Sequence, residues 1–324
     1  LSTSVLVLLN RTSGTGHAES LAEQLAEAMR AGYGSPLDVS TKVVDNHPAA
    51  RSAAAAFVAA ERPSLVAAAG GGGTLRAVVE GVMDAFPLAP PPPDVVLLAG
   101  LRMGSGNVVA RNLGIPQDPL VAARQVGAEL RRGSVRRCSV IRCTHGTRSG
   151  GTAVRHAVTM CGLGQWGRVP GDITRWRERH STARRRAASW VGLERINLVE
   201  YLGFGAARLL AGTFTASQCE LVEIDGSRRL RLLAGAVLNL PLPPLPDPGV
   251  TMSDEAVGLV LVPRLGRPFR RLLLPGADFD VRLLDRESAE FFLDEDPEQA
   301  TGWLRLGVAG CVSFVPGTQT VTTR

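Results

Sequence analysis

The sequence predicts an N-terminal doubly wound α/β domain followed by a C-terminal antiparallel β-sandwich domain, and three observations carry that expectation. Short continuous apolar runs alternate with helical patterns up to about residue 134, the apolar period then changes to two, and three glycine-bearing turns each follow an apolar run. Continuous runs suit buried parallel strands, whereas two-residue alternation suits antiparallel sheet with one face in a core. With 324 residues the chain has room for two cores, and 45% hydrophobic with 20% charged residues is the balance of a globular protein.

Taken in order, Val5–Leu9 reads as a first buried strand, and Asn10 to Gly16 turns it into a helix with apolar residues at Leu21, Leu25, Ala28 and Met29. Asp38–Asp45 is the second strand, Pro48–Glu61 an Ala-rich helix with proline in its first turn, and Leu65–Ala69 the third strand. Four glycines, Gly70 to Gly73, lead into a helix at Leu75–Met83. The tetraproline after Ala89 is a rigid surface connection. Asp94–Ala99 is the next strand; it runs through Met103-Gly104-Ser105-Gly106-Asn107 into helices at Val108–Leu113 and Asp118–Arg132. Alternation then follows at Val135–Cys143 and Ala153–Cys161, and a helical insert at 172–212 interrupts the strands. They resume at Cys219–Asp225, Arg229–Leu240, Val257–Val262, Phe279–Leu284, Ala289–Leu293, Trp303–Val308 and Cys311–Val315. The domains are therefore 1–134 and 135–324, with the extreme C-terminus as a candidate to return to the first.

Composition excludes several classes. Lys42 is the only lysine, so neither a G-x-x-x-x-G-K loop nor the phosphate-binding lysine of protein kinases can be built. Gly14-x-Gly16 would need its third glycine at Glu19, so a dinucleotide fingerprint fails. The net charge of +6 rests on arginine, and no stretch interleaves aromatic with basic residues as single-strand binders do, so no nucleic-acid partner is expected. Five cysteines without a C-x-x-C pair argue against a disulfide framework or zinc ribbon; Cys138, Cys143 and His145 could be drawn as partial metal ligands, but alternation makes them buried strand residues. No signal-like start or bilayer-length apolar run is present, which reads as a cytoplasmic protein. Six arginines between Arg175 and Arg186, beside Trp176 and Trp190, suit a peripheral contact with anionic lipid headgroups, or else a solvated helix face. The oligomeric state is not legible.

In a doubly wound layer the three glycine turns share the carboxyl edge of the sheet, where backbone N–H groups and helix N-termini hold phosphate without a lysine. The turns resemble the diacylglycerol kinase catalytic-domain family, which includes sphingosine and ceramide kinases, with NAD kinases as distant relatives. Asn10-Arg11-Thr12-Ser13-Gly14 resembles its N-P-x-S-G loop, Gly70-Gly71-Gly72-Gly73-Thr74 its G-G-D-G-T turn, and Met103-Gly104-Ser105-Gly106-Asn107 its P-x-G-T/S-x-N segment. Asp294-Glu295-Asp296 stands where the family carries a late D-G-E.

The resemblance implies transfer of the γ-phosphoryl group of ATP, with Mg²⁺, to a lipid hydroxyl of diacylglycerol or sphingosine type. It implies nucleotide contacts at Asn10, Ser13, Gly14, Gly70, Gly71, Gly72, Gly73, Thr74, Gly104, Ser105, Gly106 and Asn107, and a base at Asp294. The metal ligands are unknown. The same residues also read blandly: Asn10 and Ser13 as helix N-caps, Asp294 to Asp296 as a solvated acidic turn. Gly72 replaces the motif aspartate, and loss of a positioned acid–base group costs about 10²–10⁴ in rate. A nucleotide- or lipid-binding protein of the same fold without phosphoryl transfer is therefore the alternative.

Overall fold

The computed structural model describes residues 3–13, 19–61, 64–92, 95–104, 107–181, 193–215, 219–222, 229–242, 245–284, 289–294 and 296–317. The chain divides into two compact units, Leu1–Cys138 with Gly310–Arg324, and Ser139–Ala309.

In the first unit, strands β1 (Ser4–Asn10), β2 (Asp38–Val44), β3 (Ser64–Gly70) and β4 (Val96–Arg102) alternate with helices α1 (Ser20–Tyr33), α2 (His47–Ala60), α3 (Gly72–Ala85), α4 (Val108–Asn112) and α5 (Pro119–Arg131). The strands are parallel in the order β2-β1-β3-β4. Every residue of β3 is buried, as its unbroken apolar run requires. Right-handed crossovers send α1 and α2 to opposite faces, so α1 pairs with α5 on one side and α2 with α3 on the other. Each pair packs through a glycine: a Cβ at Gly127 would lie 2.2 Å from the Met29 carbonyl oxygen, and one at Gly81 2.2 Å from that of Arg51.

Charge also ties α2 to α3. The Glu80 carboxylate is fully buried, and takes Arg51 Nη1 at 3.1 Å, Arg76 Nη2 at 3.5 Å and the His47 ring at 2.9 Å. Arg51 forks onto Asp84 as well, Nε to Oδ2 at 2.5 Å and Nη2 to Oδ1 at 2.8 Å.

The second unit is an antiparallel sheet domain. Its strands are β5 (Arg136–Gly146), β6 (Thr152–Ala157), β7 (Met160–Gly164), β8 (Cys219–Val222), β9 (Arg229–Leu238), β10 (Val257–Pro263), β11 (Phe269–Leu273), β12 (Asp278–Leu283), β13 (Ala289–Leu293), β14 (Asp296–Ala300) and β15 (Trp303–Phe314). Strand β9 belongs to two runs of pairing, β11-β10-β9-β7-β13-β14 and β9-β8-β12-β15-β5-β6. One apolar core joins the two: Cys161, Leu259 and Phe291 from the first run meet Ile141, Phe279, Val281 and Leu306 from the second. Cys138 and Cys143 are buried in β5, as strand cysteines.

Residues Trp303–Val308 and Cys311–Val315, read from sequence as two strands, form the single strand β15. Its start pairs with β12, and its Ser313 and Phe314 pair in parallel with Leu97 and Leu98 of β4.

Between β7 and β8 lie a 3₁₀ turn, Trp166–Arg168, and helices α6 (Val169–Arg179) and α7 (Leu193–Phe214). The arginines expected to face lipid are in part spent on locking these helices: Arg177 Nη2 meets Glu200 at 2.6 Å, and Arg175 and Arg208 both bind Asp172, at 2.7 and 2.6 Å. Trp176 meets Phe204 edge to face at 6.3 Å. Arg184, Arg185, Arg186 and Trp190 lie outside the described residues. No helix among the described residues is long and apolar enough to cross a membrane.

Burial alone would push the Asp172 carboxyl up, but hydrogen bonds from Arg208 and Arg175 outweigh it and hold the group below its ordinary 3.8. A depressed carboxyl adds stability that is present above the unfolded value and is lost as pH falls through the folded one. Urea unfolding should therefore show wild type more stable than Arg208→Gln at pH 7, with the gap closing on acidification below about pH 4. A gap that persists unchanged at the acid end contradicts this role for the pair.

Candidate functional site

The first unit brings two of the glycine turns and the end of β1 together at the carboxyl edge of its sheet. Strand order makes β1 and β3 the switch point, because the chain leaves β1 in one direction and returns over it to β3. Thr74, buried in the first turn of α3, is the hub there: Asn10 Nδ2 donates to its Oγ1 at 2.9 Å, and Ser13 Oγ lies 3.3 Å from the same oxygen. Asn10 Oδ1 in turn accepts from Thr12 N at 3.1 Å and Thr12 Oγ1 at 2.9 Å, which fixes the loop. The N-cap reading of Asn10 and Ser13 is thus corrected: α1 starts from Glu19 with no side-chain cap, and both side chains turn to Thr74 instead.

Helix α3 begins earlier than sequence periodicity indicates. Gly71 is its N-cap, and the Gly71 carbonyl accepts from Thr74 N and Leu75 N at 3.1 and 3.2 Å. Gly72 and Gly73 are therefore first-turn residues, whose N–H groups have no carbonyl within the helix and point outward at its positive end. Two glycines are required by close approach: a Cβ at Gly70 would fall 2.4 Å from Thr74 Oγ1, and one at Gly104 2.7 Å from the Gly71 Cα. Gly72 is different, since a Cβ there would meet nothing within 4 Å.

The third turn follows β4, which runs to Arg102 rather than stopping at Ala99, because its register with β3 continues through Gly70 and Arg102. Met103 N donates to the Gly70 carbonyl at 3.0 Å, which sets Gly104 against Gly71. Asn107 is buried in the left-handed region at φ 48°, and its Nδ2 donates to the Gly104 carbonyl. Gly14, Ser105 and Gly106 lie outside the described residues.

This edge has the donors for a chain of phosphates, so ATP fits the residues present. A protein-held Mg²⁺ does not: such sites draw on one or two carboxylates besides phosphate oxygens, and 70–74 and 103–107 contain none. The nearby acids Glu19 and Asp45 are each 2.8 Å from the Arg11 guanidinium. Among the described residues no group of three His, Cys, Asp or Glu is placed to hold a metal.

Asp294 lies in the second unit and is no solvated turn; it is buried, with φ 58°. Its Oδ1 accepts from Thr159 N and Thr159 Oγ1, both at 2.6 Å, and from Met160 N at 3.1 Å, while Oδ2 accepts from Val158 N at 2.8 Å. Its own N–H donates to the Met160 carbonyl at 2.8 Å. The carboxylate thus clamps the turn between β6 and β7, which Asn239 holds too, donating to the carbonyls of Ser139 at 2.7 Å and Val158. Three donors crowd Oδ1 and one meets Oδ2, so Oδ2 alone keeps an acceptor position for any other proton. Sequence could not reveal the clamp, because its donors lie some 135 positions upstream.

Residues 4–143 match the family model of the diacylglycerol kinase catalytic domain. Over that stretch the chain is similar to the diacylglycerol kinase catalytic-domain family. A crystal structure of a diacylglycerol kinase from Bacillus anthracis is similar over 97% of this chain and 97% of its own, with 15% identity and a TM-score of 0.59. Two further Bacillus anthracis structures, described as candidate diacylglycerol kinases, align with TM-scores of 0.63 and 0.60 at 15% and 16% identity, the first over 97% of both chains and the second over 98% of this chain and 99% of its own. No curated protein matches the sequence. The likeness to diacylglycerol kinase structures extends over both units, so the lipid kinase-like fold is not confined to the matched domain.

Proposed function

We propose that the chain binds ATP by its phosphates at the N-terminus of α3 and passes the γ-phosphoryl group to the hydroxyl of a lipid of diacylglycerol or sphingosine type. The convergence of Asn10 and Ser13 on Thr74, beside the outward N–H groups of Gly72 and Gly73, carries this reading. Phosphoryl transfer is mostly positioning and charge neutralisation, so oriented backbone donors do much of what the reaction needs. Mg²⁺ arriving with the nucleotide would neutralise phosphate charge. Thr74 orients the β1 loop through its hydroxyl, and the α3 N-terminus faces the phosphates with fixed dipoles that need no reorganisation. The free acceptor position on Oδ2 of Asp294 is the place where a lipid hydroxyl could leave its proton.

A second reading is favoured by two specific observations: no carboxylate stands at Gly72, and most of Asp294 is committed to the β6–β7 turn. In that reading the domain binds nucleotide or lipid without transfer.

Equilibrium binding of ATP with and without Mg²⁺, followed by labelled-phosphate transfer across lipid alcohols in detergent, separates the two. Thr74→Val should weaken ATP binding by about 10-fold, since it removes the hydroxyl that Asn10 and Ser13 share. Equal ATP affinity in both proteins would remove this site from consideration. Transfer at background with ATP binding intact selects the second reading.

A further inference from the structure

The hairpin of β10 and β11 forms an edge of the second unit that neither reading uses. From Ala256 to Ala277 the sequence holds four arginines, Arg264, Arg267, Arg270 and Arg271, and no acidic residue. Among the described strands β11 pairs with β10 alone, so its other side is an open edge. Four apolar side chains stand out of the same hairpin: Leu265 at its tip is 86% exposed, and Phe269, Leu272 and Leu274 are exposed along the edge. Leu273, by contrast, is buried in the core, which anchors the strand and leaves its neighbours outside.

Arginines on an open edge are a common guard against strand pairing between copies. That role does not account for four exposed apolar residues beside them, which would promote the same association. A second copy is disfavoured by charge, because pairing β11 with itself would set like cations opposite one another. Nor does the nearby Asp247 carboxylate neutralise Arg264 or Arg270. Arg264 and Arg270 donate to the backbone carbonyls of Thr215 and Asp247, the latter at 3.5 Å, while the Asp247 carboxylate accepts from Gly249 N at 2.9 Å in its own turn.

We infer that the β10–β11 hairpin is a docking surface for an anionic bilayer, with Leu265 and its apolar neighbours entering the boundary between headgroups and acyl chains and the arginines meeting lipid phosphates. Arginine stems cover apolar surface while their heads reach anions, so a cationic collar around an apolar tip matches the two layers of a membrane surface. This contact is on a different element from α6, where Arg175 and Arg177 are engaged with Asp172 and Glu200. The inference draws on the lipid-kinase reading in choosing a bilayer, but needs no phosphoryl transfer.

Co-sedimentation without ATP, at physiological salt, compares vesicles of phosphatidylcholine alone with vesicles that also contain phosphatidylglycerol. Wild type should prefer the anionic vesicles. The triple variant Arg264→Ser, Arg267→Ser, Arg270→Ser should lose about 10²-fold in affinity, at about 5-fold per arginine, and Leu265→Ser about 10-fold. A charge-matched control, Arg124→Ser with Arg136→Ser and Arg148→Ser, should lose far less. Tryptophan emission of Leu265→Trp should shift to the blue on anionic vesicles. Wild type without preference, a triple variant that binds as wild type does, or an unmoved emission each overturns the inference. Dimerisation seen by light scattering, abolished in the triple variant and without vesicle binding, overturns it in favour of a self-interface. ATP binding in the triple variant keeps the two proposals apart: loss of vesicle binding with ATP affinity unchanged concerns the hairpin only.

Discussion

Gly72→Asp is expected to raise lipid phosphorylation by about 10²-fold or more, the scale on which a positioned acid–base group acts. The backbone admits the change. A Cβ at Gly72 meets nothing within 4 Å, and the residue already sits in the first turn of α3. A carboxylate there interacts favourably with the helix dipole, by about 0.3–1 kcal/mol, so the variant should be no less stable than wild type. The same carboxylate would repel bare phosphates, and ATP binding by the variant should become strongly Mg²⁺-dependent, while wild type depends on the metal less. Labelled-phosphate transfer and calorimetric titration of ATP with and without Mg²⁺ measure both effects. Equal turnover in the two proteins would mean that catalysis never needed an acid at this position. Background turnover in both, with ATP still bound, would make the domain a nucleotide binder.

Asp294→Ala should cost about 4 kcal/mol of stability, because it strands three backbone N–H groups and the Thr159 hydroxyl that the carboxylate now accepts. Asp294→Asn should cost less but still measurably, since an amide would turn donors toward donors. This has a practical edge for enzymology: loss of turnover in either variant reports on a base only after correction for the folded fraction. Urea unfolding read by circular dichroism supplies that correction. If both variants are as stable as wild type, the clamp is not a structural one, and any lost turnover would then assign Asp294 to the chemistry.

The parallel layer was legible because buried strands such as Leu65–Ala69 are written as apolar runs, and because glycine turns between strand and helix have few other uses. The weak strands were not. β11, Phe269–Leu273, carries two adjacent arginines on an open edge and meets the core only at Leu273, so no alternation is imposed on it. β14, Asp296–Ala300, is acidic and contains Pro297, which reads as a turn; it is tolerated at the last position of its pairing run, where one side of the strand needs no donor. In the site, residue types and spacing marked the glycines and Thr74, but not which of them were fixed. Only the packed backbone distinguishes Gly70, whose Cβ would strike Thr74, from Gly72, whose Cβ would not. Asp294 was found as a residue, and its surroundings were invisible because its donors come from a distant strand pair.

The path of β15 sets a timetable for synthesis. Ser313 and Phe314 lie beside β4, and Val315 N donates to the Leu98 carbonyl at 2.8 Å, so the edge of the parallel sheet beyond β4 is made of residues translated some 200 positions after it. As the chain leaves the ribosome, β4 waits with that edge open while the whole antiparallel unit is made. Contacts so remote in sequence are slow to form, and a waiting strand edge is a site for mispairing with other chains. Release before residue 315 would leave that edge permanently unsealed, so nascent chains truncated just upstream of Ser313 should depend on holdase chaperones more than the protein carried through to Gly317.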